Sequence, residues 1–338
     1  MKRGRVILVG VIVVVVVVVV AAVTLTLAAL LRPREPTYQG KSLSEWVDLL
    51  YTPNHTQAMN SIAAIGPKAI PLLFEEARRW NSPVQGVYRT IWPKLPAILQ
   101  QRLPAPKPVD LNFPGKIGNA LMAVGKQELP RLIAALENRN PRVRHVAILA
   151  IKYMDAKPDA AVPVLCKLLS DPDDWVRGSA LQLLGFMGPK AKPAVPALMA
   201  TLRFGTNKYI VGTRATAAWA LGRIGPDART AVPWLRQSLS DTNGPMRLSA
   251  AIALWRIVQD TNVVALVIEQ FDRNPHNRDA LSALGEMGPL AKSAVPTLFK
   301  ILRPPDLSGI PASPVIQKPA REALKHIDPE AAAEAGVK

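Results

Sequence analysis

The apolar residues between positions 176 and 202 repeat with the period of two short helices joined by a Gly-Pro corner. In the first helix, the apolar side chains at helical spacing are Ala180, Leu181, Leu184 and Met187. Gly188-Pro189 ends that helix, and Pro196 falls in the first turn of the second, where its missing N–H has no helical partner to lose. One such pair cannot bury its apolar face alone, so copies are expected to stack on either side of it.

Two landmarks identify these copies along the chain. The first is a hydrophobic residue followed by proline at the start of a second helix, at Ile70-Pro71, Leu129-Pro130, Val162-Pro163, Val195-Pro196, Val232-Pro233 and Val295-Pro296. The second is an arginine that opens a first helix, at Arg144, Arg177, Arg214, Arg247 and Arg278. The prolines at 130, 163 and 196 are spaced by 33 residues. This period predicts an all-α fold, an α-solenoid in which about seven or eight helix pairs form a right-handed superhelix.

The motif of residues 176–198, V-R-x2-A-x2-L-L-G-x-M-G-P-x-A-x2-A-V-P-x-L, resembles the short bacterial HEAT-type repeats, including those of the phycobilisome-lyase-like class. The resemblance extends over roughly residues 54–328 and implies stacked helix pairs. Tetratricopeptide repeats have a similar period, but their aromatic and glycine positions are absent here. Residues 38–46 (YQGKSLSEW) also resemble a segment that follows the anchor in membrane-tethered bacterial HEAT proteins.

The N-terminal region predicts a membrane anchor. After a basic flank at residues 1–5, residues 6–31 carry no charged side chain, and as a helix they would be about 39 Å long. This length spans a bilayer core of about 30 Å and exceeds the apolar region of a cleaved signal peptide. Cleavage near Ala28 and Ala29 stays open as the alternative. The favoured interpretation is a single transmembrane helix followed by a tether at residues 32–41.

The charges that flank the apolar segment predict its orientation. Lys2, Arg3 and Arg5 precede it, whereas Arg32 and Arg34 follow it and are partly countered by Glu35. Under the positive-inside rule, this distribution favours a single-pass membrane protein with its N-terminus inside and its solenoid on the extracytoplasmic side.

The solenoid is expected at residues 42–328, beginning with a capping box at Ser42 and Glu45 and followed by a frayed tail at 329–338. A proline-rich insertion at about 81–115 interrupts the period, and residues 84–103 within it are expected to form one irregular helix. Insertions of this kind often lie on the binding face of a solenoid. The candidate partner-binding residues in it are Tyr88, Arg89, Trp92 and Lys94, because Tyr, Trp and Arg are enriched at binding hot spots. In the alternative interpretation, these aromatic residues only pack the insertion onto its neighbours.

An acidic residue precedes an arginine by six positions in three turns: Asp171 and Arg177, Asp241 and Arg247, and Asp272 and Arg278. Two other repeats depart from this pattern, with Asn138 and Lys208 at the acidic position. As in HEAT-type repeats, these residues are interpreted as a structural ladder along the stack. A row of arginines that binds phosphate is the alternative.

The composition limits the possible functions. The formal net charge is +17, and since residues 1–34 carry five basic and no acidic groups, the remainder carries 37 − 25 = +12. Cys166 is the single cysteine, and the four histidines lie in different repeats without ligand spacing. No phosphate loop, metal motif or nucleophile elbow occurs. No catalytic residue, metal or cofactor is therefore expected, and the protein is predicted not to be an enzyme.

The sequence favours a membrane-anchored scaffold that mediates protein–protein interactions with partners of unknown identity. The first alternative is a binder of nucleic acid or another anionic polymer through a basic solenoid surface. The second is a bilin-lyase-like or other HEAT-repeat enzyme, although no His-Glu dipeptide occurs in the chain.

Overall fold

The computed structural model describes residues 35–80, 82–103, 105–106, 111–154, 158–204, 211–302 and 314–337. The predicted flank at 1–5, the predicted transmembrane helix at 6–31 and the first part of the tether lie outside these residues, as does Lys208. Within the described ranges, no helix is both long enough and apolar enough to cross a membrane.

The chain begins with a short β hairpin, in which β1 (Thr37–Tyr38) pairs antiparallel with β2 (Lys41–Ser42). The helices up to the middle of the chain are α1 Leu43–Leu49, α2 His55–Ile65, α3 Ile70–Arg79, α4 Pro83–Ile91, α5 Ala97–Arg102, α6 Phe113–Val124, α7 Leu129–Ala135, α8 Pro141–Tyr153 and α9 Val162–Leu168. The later helices are α10 Asp174–Met187, α11 Val195–Phe204, α12 Val211–Ile224, α13 Val232–Ser238, α14 Gly244–Val258, α15 Val264–Arg273, α16 Arg278–Met287, α17 Val295–Leu302, α18 Pro314–Ile327 and α19 Pro329–Glu334.

The helices form the stacked pairs of a solenoid. The first helices of successive pairs are α2, α6, α8, α10, α12, α14 and α16, and each of them packs directly on the next. The terminal helix α18 packs on α16 in the same way. The first helices thus form one continuous layer. Along one side of this layer lie the second helices of the pairs, which are α3, α7, α9, α11, α13, α15 and α17. The predicted all-helical solenoid is confirmed for the described part of the chain.

Glycine is required at the corner between the two helices of a pair. Gly66, Gly188, Gly225 and Gly288 each end a first helix with a φ between 57° and 79°. Residues with a Cβ atom rarely adopt this backbone conformation because of steric clashes, so glycine is the residue expected at the corner. The residues after it form short 3-10 helices that lead into the second helix, at Gly66–Ala69, Gly188–Ala194, Gly225–Ala231 and Gly288–Ala294.

The layer of first helices is closely packed because small residues line its contacts. Gly222 of α12 faces the backbone of α14, and a Cβ atom placed on it would lie 2.8 Å from Ala253 Cα. Gly118 of α6 lies equally close to α8, and Gly285 of α16 lies close to Ala323 of the terminal helix α18. The missing side chains therefore set how closely adjacent repeats approach.

Capping elements close both ends of the stack. The predicted capping box at Ser42 and Glu45 is confirmed, and Trp46, which is buried, donates a hydrogen bond from Nε1 to Tyr38 O at 3.0 Å.

At the other end, the expectation of a frayed tail was wrong, because residues 329–334 form α19. Asp328 accepts a hydrogen bond from the Ala331 N–H and pairs with Lys292 Nζ at 3.0 Å, and both contacts hold the last helix in place.

The insertion leaves the stack as two helices instead of the one irregular helix expected. Pro93 and Pro96 lie between α4 and α5, where each removes an N–H that a continuous helix would need. Because α2 and α6 pack on each other across the insertion, the solenoid continues beneath it. None of the side chains described between residues 82 and 103 is buried.

Candidate functional site

The ladder residues join neighbouring repeats. Arg144 at the start of α8 donates from Nη2 to Asp171 Oδ1 at 2.6 Å, and both side chains are buried. Arg214 in α12 makes the equivalent contact with Asp241 Oδ2 at 2.9 Å. In each case the arginine of one repeat reaches the aspartate in the turn of the next, 27 residues later.

Within its own turn, the same arginine position binds main-chain oxygen atoms. Arg247 donates to Asp241 O at 2.7 Å, and Arg177 donates to Asp171 O. Arg144 donates to Asn138 O at 2.8 Å, so the turn with asparagine at the acidic position is held in the same way. These contacts direct the guanidinium groups toward the turns and the aspartates, as a structural ladder requires.

The third pair of the ladder is not formed. Asp272 accepts a hydrogen bond from Thr297 Oγ1 in α17, and in the described residues neither its carboxylate nor its main-chain oxygen is joined to Arg278, unlike the main-chain oxygens of Asp171 and Asp241. The six-residue spacing alone is therefore insufficient for the contact.

The candidate residues of the insertion come together at the end of α4. The rings of Tyr88 and Trp92 meet edge to face with their centroids 5.5 Å apart. Tyr88, Arg89 and Trp92 are partly exposed, and Lys94 is exposed. No described side chain of this cluster is fully buried, and its assignment as a partner site or as packing against the neighbouring repeats stays a prediction.

A groove that the sequence did not predict runs along the layer of first helices. Its wider part is a hollow of about 600 Å³ across α6, α8 and α10. Its lining includes Lys116, Asn119, His145, Trp175 and Gln182. The Trp175 side chain is 67% exposed, which is unusual for so large an apolar surface.

The groove continues toward the C-terminal repeats through a second hollow of about 340 Å³. Its lining includes Lys152, Gln182, Phe186, Trp219 and Asp279, and it extends across α8, α10, α12, α14 and α16. Gln182 lines both hollows, which makes them one surface feature.

Packing and hydrogen bonds hold the groove residues in position. The missing side chain of Gly185 leaves room for the Trp219 ring, which meets Phe186 edge to face at 5.3 Å. Trp219 Nε1 donates to Asp279 Oδ1 at 3.3 Å. The groove therefore combines aromatic surface with fixed polar groups, which is the usual composition of a recognition site.

The charged groups of the groove are balanced and partly desolvated. Lys152 Nζ donates to Gln182 Oε1 at 2.9 Å and lies 4.9 Å from the centre of the Phe186 ring, and its burial lowers the pKa of this amine. His145 stacks on Trp175 with ring centroids 6.0 Å apart. Burial lowers the pKa of His145, with a smaller opposing effect of Asp173, so the imidazole is neutral at pH 7.

The repeats also match known sequences. Residues 129–212 and 207–285 match the family model for HEAT repeats. The groove from α8 to α16 lies mainly within these repeats, whereas the insertion precedes them.

Solved structures provide further similarity. The chain is similar to a structure of the complex of CpcE and CpcF of phycocyanin lyase from Nostoc sp. PCC7120, at 23% identity and a TM-score of 0.48, covering 68% of this chain and 89% of that one. It is also similar to two engineered proteins, at 19% and 17% identity with TM-scores of 0.37 and 0.32. These comparisons cover 84% and 87% of this chain, and 78% and 97% of the engineered ones. No curated protein matches the chain.

The titratable side chains do not form a metal site in the ranges that the structure describes, where no group of three or more His, Cys, Asp or Glu residues converges. Cys166 is half-buried in α9, and burial raises the pKa of its thiol. The prediction that the protein is not an enzyme stays a prediction.

Proposed function

We propose that this protein is a membrane-anchored HEAT-repeat scaffold that holds an extended polypeptide segment of a partner in the first-helix groove. The observation that carries the proposal is the continuity of the groove, with Trp175, Gln182 and Trp219 placed along it.

The side chains of the groove suit a polypeptide. Trp175 and Trp219 offer ring faces that can bury apolar side chains of a partner. Asn119 and Gln182 each carry both a donor and an acceptor, so they can bind the N–H and C=O groups of an extended main chain. These features favour a peptide without regular secondary structure, because its main chain is free to bond with the groove.

The length of the groove sets the length of the segment. Packed helices lie about 9 Å apart, so the five steps from α6 to α16 span about 45 Å. An extended chain rises about 3.4 Å per residue, and about 13 residues would cover this distance.

The charge of the groove argues against nucleic acid as its occupant. The side chains that line the two hollows include two positive ones, Lys116 and Lys152, and two negative ones, Asp174 and Asp279, so their charges cancel. His145 lies beside them and is neutral. The surplus of +12 beyond residue 34 therefore lies elsewhere on the chain. A phosphate backbone requires an uncompensated basic surface.

Membrane anchorage through residues 6–31 is part of the proposal and rests on their sequence. The orientation favoured by the flanking charges places the groove outside the cytoplasm. A partner would then be held beside the membrane on its extracytoplasmic side.

Replacement of Trp175 with alanine is expected to weaken binding at least tenfold, because a large and exposed aromatic side chain is a typical hot spot. The probe is a set of linear peptides selected from a random library against the full chain in a mild detergent. The dissociation constants of wild type and variant are compared by fluorescence anisotropy.

The matched control is Trp234→Ala, because Trp234 lies on a second helix, where its ring stacks on Arg203 away from the groove. This variant is expected to bind as wild type does. Equal losses for Trp175→Ala and Trp234→Ala, or no loss for either, would rule out the groove as the peptide site.

A further inference from the structure

The insertion hairpin, defined as residues 82–103, exposes an apolar surface that no described part of the chain covers. On α4, the exposed fractions are 77% for Val84, 58% for Val87 and 45% for Ile91. On and after α5, the exposed aliphatic side chains are Ile98, Leu99 and Leu103. Half of the large hydrophobic side chains that are exposed in the described chain lie in this one hairpin.

The apolar residues of α4 form a stripe. Val84, Val87, Tyr88 and Ile91 are spaced as i, i+3, i+4 and i+7, which places them on one side of the helix. Arg89 lies outside this stripe, toward the polar side. The helix is therefore amphipathic, and its apolar side points away from the solenoid core.

The hairpin has charges of only one sign. No acidic residue occurs between Glu76 and Asp110, whereas Arg89, Lys94 and Arg102 lie within the hairpin. A surface of aliphatic side chains with basic residues beside it is complementary to a bilayer that contains anionic lipid. Trp92 and Tyr88 belong to the residue types that prefer the level of the lipid headgroups.

The proposed anchor would hold this hairpin near a bilayer. Three residues lie between the end of the apolar segment at residue 31 and residue 35, and the four residue steps that join these two positions span at most about 14 Å when fully extended. The insertion leaves the stack after α3, in the first helix pair of the solenoid. The tether therefore gives the hairpin a high effective concentration at the membrane surface.

We infer that the insertion hairpin docks into the interface of an anionic bilayer, with Val84, Val87 and Ile91 toward the acyl chains and Arg89, Lys94 and Arg102 beside the lipid phosphates. This second contact fixes the angle between the solenoid and the membrane, since a single tether alone would leave the solenoid free to rotate. The inference rests on the proposed membrane anchorage.

The test places a fluorescent label on the apolar stripe of the full chain. Val87→Cys is made with Cys166→Ala and labelled with bimane, and the protein is reconstituted into phosphatidylcholine vesicles containing about one third phosphatidylglycerol. Leu290→Cys is the matched control, since Leu290 is 53% exposed and lies in a distant repeat. A nitroxide carried by the lipid is expected to quench the label at position 87 and to leave the label at 290 unchanged.

A charge variant tests the role of the basic residues. Replacing Arg89, Lys94 and Arg102 with glutamine is expected to lower the docking equilibrium about a hundredfold, since each basic residue near an anionic surface contributes about a fivefold factor. Quenching at position 87 should fall accordingly, and it should also fall in vesicles of phosphatidylcholine alone.

Flotation of the same vesicles separates the two proposals. A chain that floats without quenching at position 87 is anchored but not docked, which overturns the inference and leaves the anchorage standing. A chain that fails to float overturns both. Equal quenching at 87 and 290 would show that the solenoid has no preferred face toward the lipid, and protection of position 87 only by a bound protein would assign the hairpin to that protein.

Discussion

Replacement of Asp171 with alanine is expected to lower the free energy of unfolding by about 3–5 kcal/mol, because it leaves the Arg144 guanidinium buried without its partner. The pair lies between two repeats, and only 9% of Arg144 and 7% of Asp171 are exposed. Asp171 also accepts a hydrogen bond from the Asp173 N–H at 2.9 Å, so the turn loses a contact as well. Urea unfolding of the full chain in a mild detergent, followed by circular dichroism, measures the change.

The control is a surface ion pair that also involves the helix pair α8 and α9. Lys167 and Glu137 are joined at 3.2 Å, but both side chains are largely exposed, so Glu137→Ala should cost less than about 1 kcal/mol. The double variant Arg144→Met with Asp171→Leu should recover most of the loss, because it removes both buried charges. If Asp171→Ala costs no more than Glu137→Ala, the buried pair does not stabilise the contact between repeats.

Replacement of Gly222 with valine is expected to cost about 3 kcal/mol of the free energy of unfolding. A Cβ atom at this position would lie 2.8 Å from Ala253 Cα, so α12 and α14 would have to separate. Overpacking of a core usually costs about 1–3 kcal/mol, and a clash with backbone cannot be relieved by a rotamer change. The same unfolding measurement detects it.

Gly178→Val provides the matched substitution. Gly178 also lies inside a first helix, α10, but a Cβ atom there would have no heavy atom within 4 Å. The variant is expected to stay within about 0.5 kcal/mol of wild type, since valine has a slightly better helix propensity than glycine. Similar unfolding midpoints for Gly178→Val and Gly222→Val would contradict the packing argument.

The repeat period could be predicted from the sequence because each repeat carries its own local signals. The corner requires a positive φ, which glycine adopts readily. Proline is tolerated in the first turn of the second helix because an N–H at that position would have no helical hydrogen-bond partner. Both effects depend on neighbouring residues only. The repeats at 129–285 that match the HEAT-repeat model and the capping box at Ser42 have the same local origin.

Contacts between repeats were harder to predict. The sequence draws attention to Asp171 and Arg177 because they are six residues apart, whereas the aspartate side chain pairs with Arg144 of the preceding repeat. The partner of each ladder residue depends on how the repeats are stacked. That information is spread over the whole repeat and is not contained in the turn.

The groove was missed because aromatic residues in an apolar helix are usually expected in the core. Trp175 and Trp219 lie on the side of the first helices that faces away from the second helices. Whether an aromatic side chain is exposed depends on which side of its helix it occupies. A helical wheel of residues 174–187 would have placed Trp175, Gln182 and Phe186 together beyond the buried stripe. This is the signal that could have identified the site.

The measurement that tests the scaffold most directly is photocrosslinking from the groove. A benzophenone amino acid replaces Gln182 in the full chain, and for comparison it replaces Gln237, an exposed glutamine on the second helix α13. Position 182 is expected to give a crosslink that protease removes and nuclease does not, and the crosslinked partner residues are expected to lie in one segment of about 13 residues. Crosslinks of equal strength from position 237, or products from position 182 that are sensitive to nuclease, would contradict the proposed scaffold role.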